Sequence, residues 1–422
     1  MINVDISNVW TCVSLPELLG SEKEIFDAHM RLRSNQPDGP DFLGWLGYRD
    51  SVNGRLIHGI RKRAEQICGD SDVLVVCGSG NAFDAARAAI ELYGGLSRNL
   101  LAQPQVFFTG ESLSGRQWVD LGRLLEDKDY SLHIISPDGR DPAANVTSRG
   151  LRWMMERKYG AKSKERISVA ARAGTPLHTM AQEEGYEFFP MPTELGGRDS
   201  ALTAAALVPM AVAGIDPLSV LEGAVELYNE LDVRSFDNPA WLYAGIRSVL
   251  PGKGRPRELL CIFDQSLSAF GRWWQRYVWR HECCEDTGVY PETVLLPGDL
   301  DSMDAMARSG GVFETMLHFD PIAKKIPVEM DWKDYDGLGC LSGRDLDFVE
   351  QQTHAAAAET HNYAGVPVLD IHAGEVTAQA LGELFYFFEL SSALTAAVWG
   401  LDPFERQDTP TLDAALHAMG AV

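Results

Sequence analysis

Short apolar runs of strand length alternate with stretches of helical length along nearly the whole chain. DVLVVCGSG (72–80) has the unbroken apolar character of a strand buried on both faces, and its glycines end it. NAFDAARAAIELYGG (81–95) follows as a helix. The alternation continues with PQVFFTG (104–110) and RQWVDLGRLLEDKD (116–129), then YSLHIIS (130–136) and SRGLRWMMERKYG (148–160). RISVAARAG (166–174) leads to PLHTMAQEEG (176–185), and YEFFPMP (186–192) to the apolar helix SALTAAALVPMAVAGI (200–215). Repeated strand–helix order predicts a parallel sheet flanked by helices, an α/β protein of three layers.

A second series begins after the basic, Pro/Gly-bearing patch LPGKGRPREL (250–259). Strands are predicted at 258–264, 292–298, 312–320 and 366–374, with helices at 268–282 and 380–401. The expected organisation is a mostly helical segment over 1–69, one α/β domain over 70–250 and a second over 251–422. A length of 422 residues suits that division.

Composition narrows the partners. The 37 basic residues against 60 acidic ones give a net charge of −23. That balance argues against nucleic acid and anionic membrane surfaces, which are held by cationic contacts. No run of about 20 apolar residues suggests a membrane span, and MINVDISNVW lacks a signal-peptide layout. Seven scattered cysteines do not suggest a disulfide framework. The expectation is a soluble cytoplasmic protein.

Several constellations invite chemistry without supporting it. HECCED (281–286) lacks the Cys-x-x-Cys spacing of zinc sites. GSGNAF (78–83) lacks the third glycine of a dinucleotide fingerprint. The acidic DWKDYDG (331–337) does not have EF-hand spacing and suits a solvated loop. No cofactor and no metal is expected.

The junction IISPDGRDPAA (134–144) is of another kind. A strand running into a helix is where backbone N–H groups and the helix dipole bind anions. Here two prolines donate no N–H, and Asp138 and Asp141 repel an anion. The order of elements, with TELGGRDS (193–200), QSLSAFGRWWQRY (265–277) and GVPVLDI (365–371), resembles the glucose-6-phosphate isomerase family over roughly residues 40–405. The resemblance implies a double sugar-isomerase (SIS) fold with its ligand site between two α/β domains.

It also implies where the chemistry should lie. The family's first glycine-rich turn matches Gly78 and Gly80. Its phosphate loop, a Ser-Lys-Ser-Gly followed by threonines, aligns with Ser136, Pro137, Asp138, Gly139, Arg140, Asp141 and Pro142, so only the first serine and the glycine remain. A buried hydroxyl's charge-assisted bond is worth about 1.5–3 kcal/mol. The catalytic glutamate falls on Arg280, which cannot act as a base; Glu282 is the nearby carboxylate. The ring-opening histidine falls on Asp301 and the C-terminal lysine on Asp413. The arginine of the Gly-Gly-Arg motif remains as Arg198, either stabilising an anionic enediol or pairing with Asp199, and His361 matches a family histidine. The expected cleft therefore gathers Asp138, Arg140, Asp141, Arg198, Asp199, Arg280, Asp301 and Asp413.

The leading expectation is a diverged member that binds a sugar or sugar derivative with weak or no glucose-6-phosphate isomerase activity. A working isomerase with a relocated base is the first alternative, and a non-catalytic scaffold or regulator, its cleft filled by Asp–Arg pairs, is the second. The resemblance implies a homodimer.

Overall fold

The computed structural model describes residues 2–33, 54–192, 199–283, 288–303 and 310–401. Its elements run β1 (Asn3–Asn8), α1 (Leu15–Gly20), α2 (Glu22–Arg33), α3 (Gly54–Asp70), β2 (Val73–Gly78) and α4 (Asn81–Gly94). Next come α5 (Arg98–Leu101), β3 (Gln105–Thr109), α6 (Gly115–Leu125), β4 (Tyr130–Ile135), α7 (Pro142–Tyr159), β5 (Ile167–Arg172), α8 (Pro176–Glu184) and β6 (Glu187–Met191). Helices α9 (Ala204–Val212), α10 (Pro217–Glu230) and α11 (Pro239–Val249) precede β7 (Arg257–Ile262) and α12 (Ser268–Glu282). The series closes with β8 (Tyr290–Leu295), β9 (Val312–His318), α13 (Leu346–Tyr363), β10 (Val368–His372) and α14 (Ala378–Val398).

Two five-stranded sheets result. The first has the order β3-β2-β4-β5-β6 and is parallel throughout. The second has the order β1-β10-β9-β7-β8, parallel except for β1, which pairs antiparallel with β10. Strands buried on both faces explain the unbroken apolar runs. In β2, Leu74 and Val76 enter the central core while Val73, Val75 and Cys77 face a second cluster under α7 and α8. In β7, Leu260 and Ile262 point centrally, and Leu259 and Cys261 meet the cluster under α13.

Two expectations need correction, and one element was not anticipated. The N-terminal segment opens with a strand: β1 has little apolar pattern of its own and is made by pairing with β10 at a sheet edge, with Asn3 opposite His372. Helix α7 starts at Pro142, six residues before the predicted 148, because Asp141 caps it and proline is preorganised at a first helical position. One helix, α14, is long and apolar enough to cross a membrane, yet it lies in the core, packed by α10, α11, α12 and α2. The two halves meet where α4 packs against α12.

Candidate functional site

The strand ends of the first sheet come together because glycine allows it. A Cβ on Gly78 would lie 2.4 Å from the Ile135 carbonyl oxygen, and Gly80 has φ of 87°, a conformation that favours glycine. The turn ending at Gly80 feeds the N-terminus of α4, where Asn81 and Ala82 both bond Ser200. The Ser200 N–H donates to Asn81 Oδ1 at 3.2 Å, and the Ala82 N–H donates to Ser200 Oγ at 3.1 Å.

Beside this turn lies the stretch aligned with the family's phosphate loop. Ser136 is buried, and its N–H donates to the Ala170 carbonyl at 3.2 Å. Gly139, with φ of 72°, accepts from Asn145 Nδ2 at 2.9 Å. The Arg140 N–H donates to Asp138 Oδ1 at 3.3 Å; both side chains are exposed, and Arg140 makes no ion pair among the described residues. Asp141 turns inward. Its Oδ1 accepts from the Ala143 and Ala144 N–H groups at 2.9 and 3.2 Å, and its Oδ2 accepts from the Ser79 hydroxyl. The anion at the start of α7 is thus one of the chain's own carboxylates.

On the facing side, α12 presents Trp273, Arg276, Tyr277 and Arg280 towards Asn81 and Asp84 of α4. Arg276 donates to both Asp84 oxygens at 2.8 and 3.0 Å and also to Glu111; Arg272 lies 2.9 Å from Glu111. Burial raises Asp84 to about 6 against the pull of Arg276. The attraction shows instead on Arg276, which the two carboxylates raise in spite of burial. Among the described residues the space left here is about 10 Å3, room for about one water.

Deeper in, the Tyr277 hydroxyl donates to Asp199 Oδ1 at 2.8 Å, with His281 Nε2 3.4 Å from the same oxygen. Burial, then the charge of Asp199, drives both the Tyr277 phenol and the Glu389 carboxyl well above their ordinary ranges.

The expected cleft residues do not all converge. Arg198, the TELGGR phrase and Asp413 lie outside the described residues. Glu282 cannot stand in for the base in this geometry: it is fully buried on the opposite face of α12, 2.9 Å from Arg247 Nη1. Arg247 also holds Glu258 at 2.7 Å, so both glutamates are committed to a core network. Asp301 and His361 line a different cavity, of about 540 Å3, between the 299–303 turn and α13. His361 is buried with Nδ1 2.7 Å from Glu314 Oε2, a hydrogen bond that raises its pKa.

Sequence reasoning missed Asp84, Glu111 and Arg276. The signal was present: Arg272, Arg276 and Arg280 recur every four residues on one face of a helix, and Asp84 is a lone carboxylate among alanines.

No protein-family model matches the sequence. The glucose-6-phosphate isomerase of Fusobacterium nucleatum is 33% identical over 426 residues, covering 99% of this chain and 95% of that protein. The glucose-6-phosphate isomerase of Caldanaerobacter subterraneus is 35% identical, covering 97% and 93%. Among solved structures, a hypothetical protein from Thermus thermophilus superposes with a TM-score of 0.83 at 18% identity, covering 100% of this chain and 99% of that one. A glucose-6-phosphate isomerase from Chlamydia trachomatis gives 0.78 at 14%, covering 100% and 88%. The fold is that of the SIS-domain isomerases, and with a third of its residues identical over nearly its full length, the chain belongs to the glucose-6-phosphate isomerase family.

Proposed function

We propose that the chain is a diverged member of this family that binds a sugar or sugar derivative between its two sheets, with weak or no interconversion of glucose 6-phosphate and fructose 6-phosphate. One observation carries the reading: Asp141 takes the N-terminal amides of α7 and the Ser79 hydroxyl that an incoming phosphate would need. A phosphate brought there would have to displace a carboxylate or face it at short range, and either is unfavourable. Arg280 at the position of the family's base supports the same conclusion, since a guanidinium does not abstract a proton.

A coupled assay for glucose 6-phosphate isomerisation is expected to show little or no turnover; interconversion at a rate typical of enzymes would overturn the proposal. In thermal-shift measurements, unphosphorylated sugars are expected to stabilise the chain more than their 6-phosphates, because stabilisation grows with ligand concentration over Kd.

A second reading, a non-catalytic scaffold or regulator, is favoured by the pairing of Arg276 with Asp84 and Glu111. It predicts no thermal response to any sugar. Either reading includes a homodimer. Its support is the pair of aromatic side chains exposed on the otherwise charged stretch 320–340, Trp332 at 89% and Tyr335 at 81%, which a second copy would cover. Sedimentation would test it.

A further inference from the structure

We propose that His318, His354 and Asp370 form a binding site for a divalent transition-metal ion such as zinc. The site lies at the carboxyl ends of β9 and β10, on the face covered by α13. Parallel register sets His372 beside His318 and Asp370 beside Met316. Side chains two apart on a strand share a face, so His318, Asp370 and His372 point the same way. Met316 and Val368 fix that face by packing under Ala357 and Ala358 of α13. His354, one turn before Ala357 and Ala358, then lies over the strand ends.

The donor atoms are spaced for one ion. His318 Nδ1 is 3.1 Å from Asp370 Oδ1, and His354 Nε2 is 3.1 Å from Asp370 Oδ2. One ligand atom from each residue falls within 4.8 Å of the others. Bonds of about 2.0–2.2 Å to zinc place neighbouring ligand atoms roughly 3–4 Å apart. An ordinary ion pair does not account for the arrangement: both nitrogens are buried, and neither makes a hydrogen bond in spite of its distance to the carboxylate. The nitrogens are near Asp370 without being aimed at its oxygens.

The surroundings suit a cation. The imidazole rings of His318 and His354 are 4.5 Å apart, and the His372 ring, held by Asp320 at 2.7 Å, lies tilted 5.0 Å from His318. Phe263 forms an apolar wall 5.0 Å from His354. Two imidazoles and one carboxylate favour zinc, cobalt or nickel over magnesium or calcium, and three protein ligands leave a position for water.

The test uses the full chain, stripped with chelator and titrated with cobalt(II) and zinc. One equivalent of cobalt is expected to give visible d–d absorption that zinc abolishes. His318→Ala, His354→Ala and Asp370→Asn should each weaken binding at least about tenfold, whereas His58→Ala, at an exposed position of α3, should not. Circular dichroism checks folding, and His354→Gln replaces any alanine variant that fails to fold. Absence of a one-equivalent cobalt spectrum, or a spectrum unchanged in the folded variants, would overturn the proposal.

Discussion

Asp141 does two jobs that the sequence presents as one oddity. It places a carboxylate at the strand–helix junction, and it satisfies the free N–H groups at the start of α7. The first role was legible in IISPDGRDPAA; the second was not, because the weakly patterned PAANVT hid the true helix start, although Asp followed by Pro is an N-terminal signal. Asp141→Ser separates the roles. Serine caps about as well as aspartate, so stability in urea should change by less than about 1 kcal/mol. Inorganic phosphate should raise the melting temperature of the variant and leave that of the parent unchanged. An equal response from both would remove Asp141 as the resident anion.

At the scale of the element, α12 was placed from the sequence at 268–282 and is found there. What periodicity did not deliver was the use of its two faces. Residues 276 and 280 are one turn apart and look at α4, while Glu282 is two residues further and looks into the core. There Arg247 joins α11 to Glu258 of β7 and Glu282 of α12, with Thr395 of α14 at 3.1 Å. The Tyr243 and Thr315 hydroxyls each donate to Glu258 at 2.6 Å. One cation holds two buried carboxyls, so Arg247→Leu should cost about 3–5 kcal/mol in urea unfolding by stranding them. Glu282→Gln should cost less, because burial already pushes that carboxyl towards its neutral form. The reverse order would mean that Glu282 carries the network.

Across the whole molecule, alternating strand and helix signals gave both sheets, since each βα unit announces itself locally. The contacts that join the halves are long-range and leave little local trace. β1 pairs with a strand 360 or more residues away, and Arg276 reaches back to Asp84 and Glu111. The membership of the junction was not legible either: Asp301 and His361 line another cavity, and Arg276 with Asp84 and Glu111 carries no motif of its own. Asp84 offers a test of that junction. Its carboxyl has a pKa of about 6 in the folded chain against 3.8 as its ordinary value. Between those values the folded state binds a proton that the unfolded state has released, so this group's contribution to stability falls as pH rises from about 4 to 6. A difference of roughly two units corresponds to about 3 kcal/mol. Asp84→Asn should therefore flatten the stability profile over that window and leave Arg276 held by Glu111. Urea midpoints measured from pH 4 to 7 read this directly. Parent and variant profiles that run parallel would show that burial at the junction does not hold Asp84 above its ordinary range.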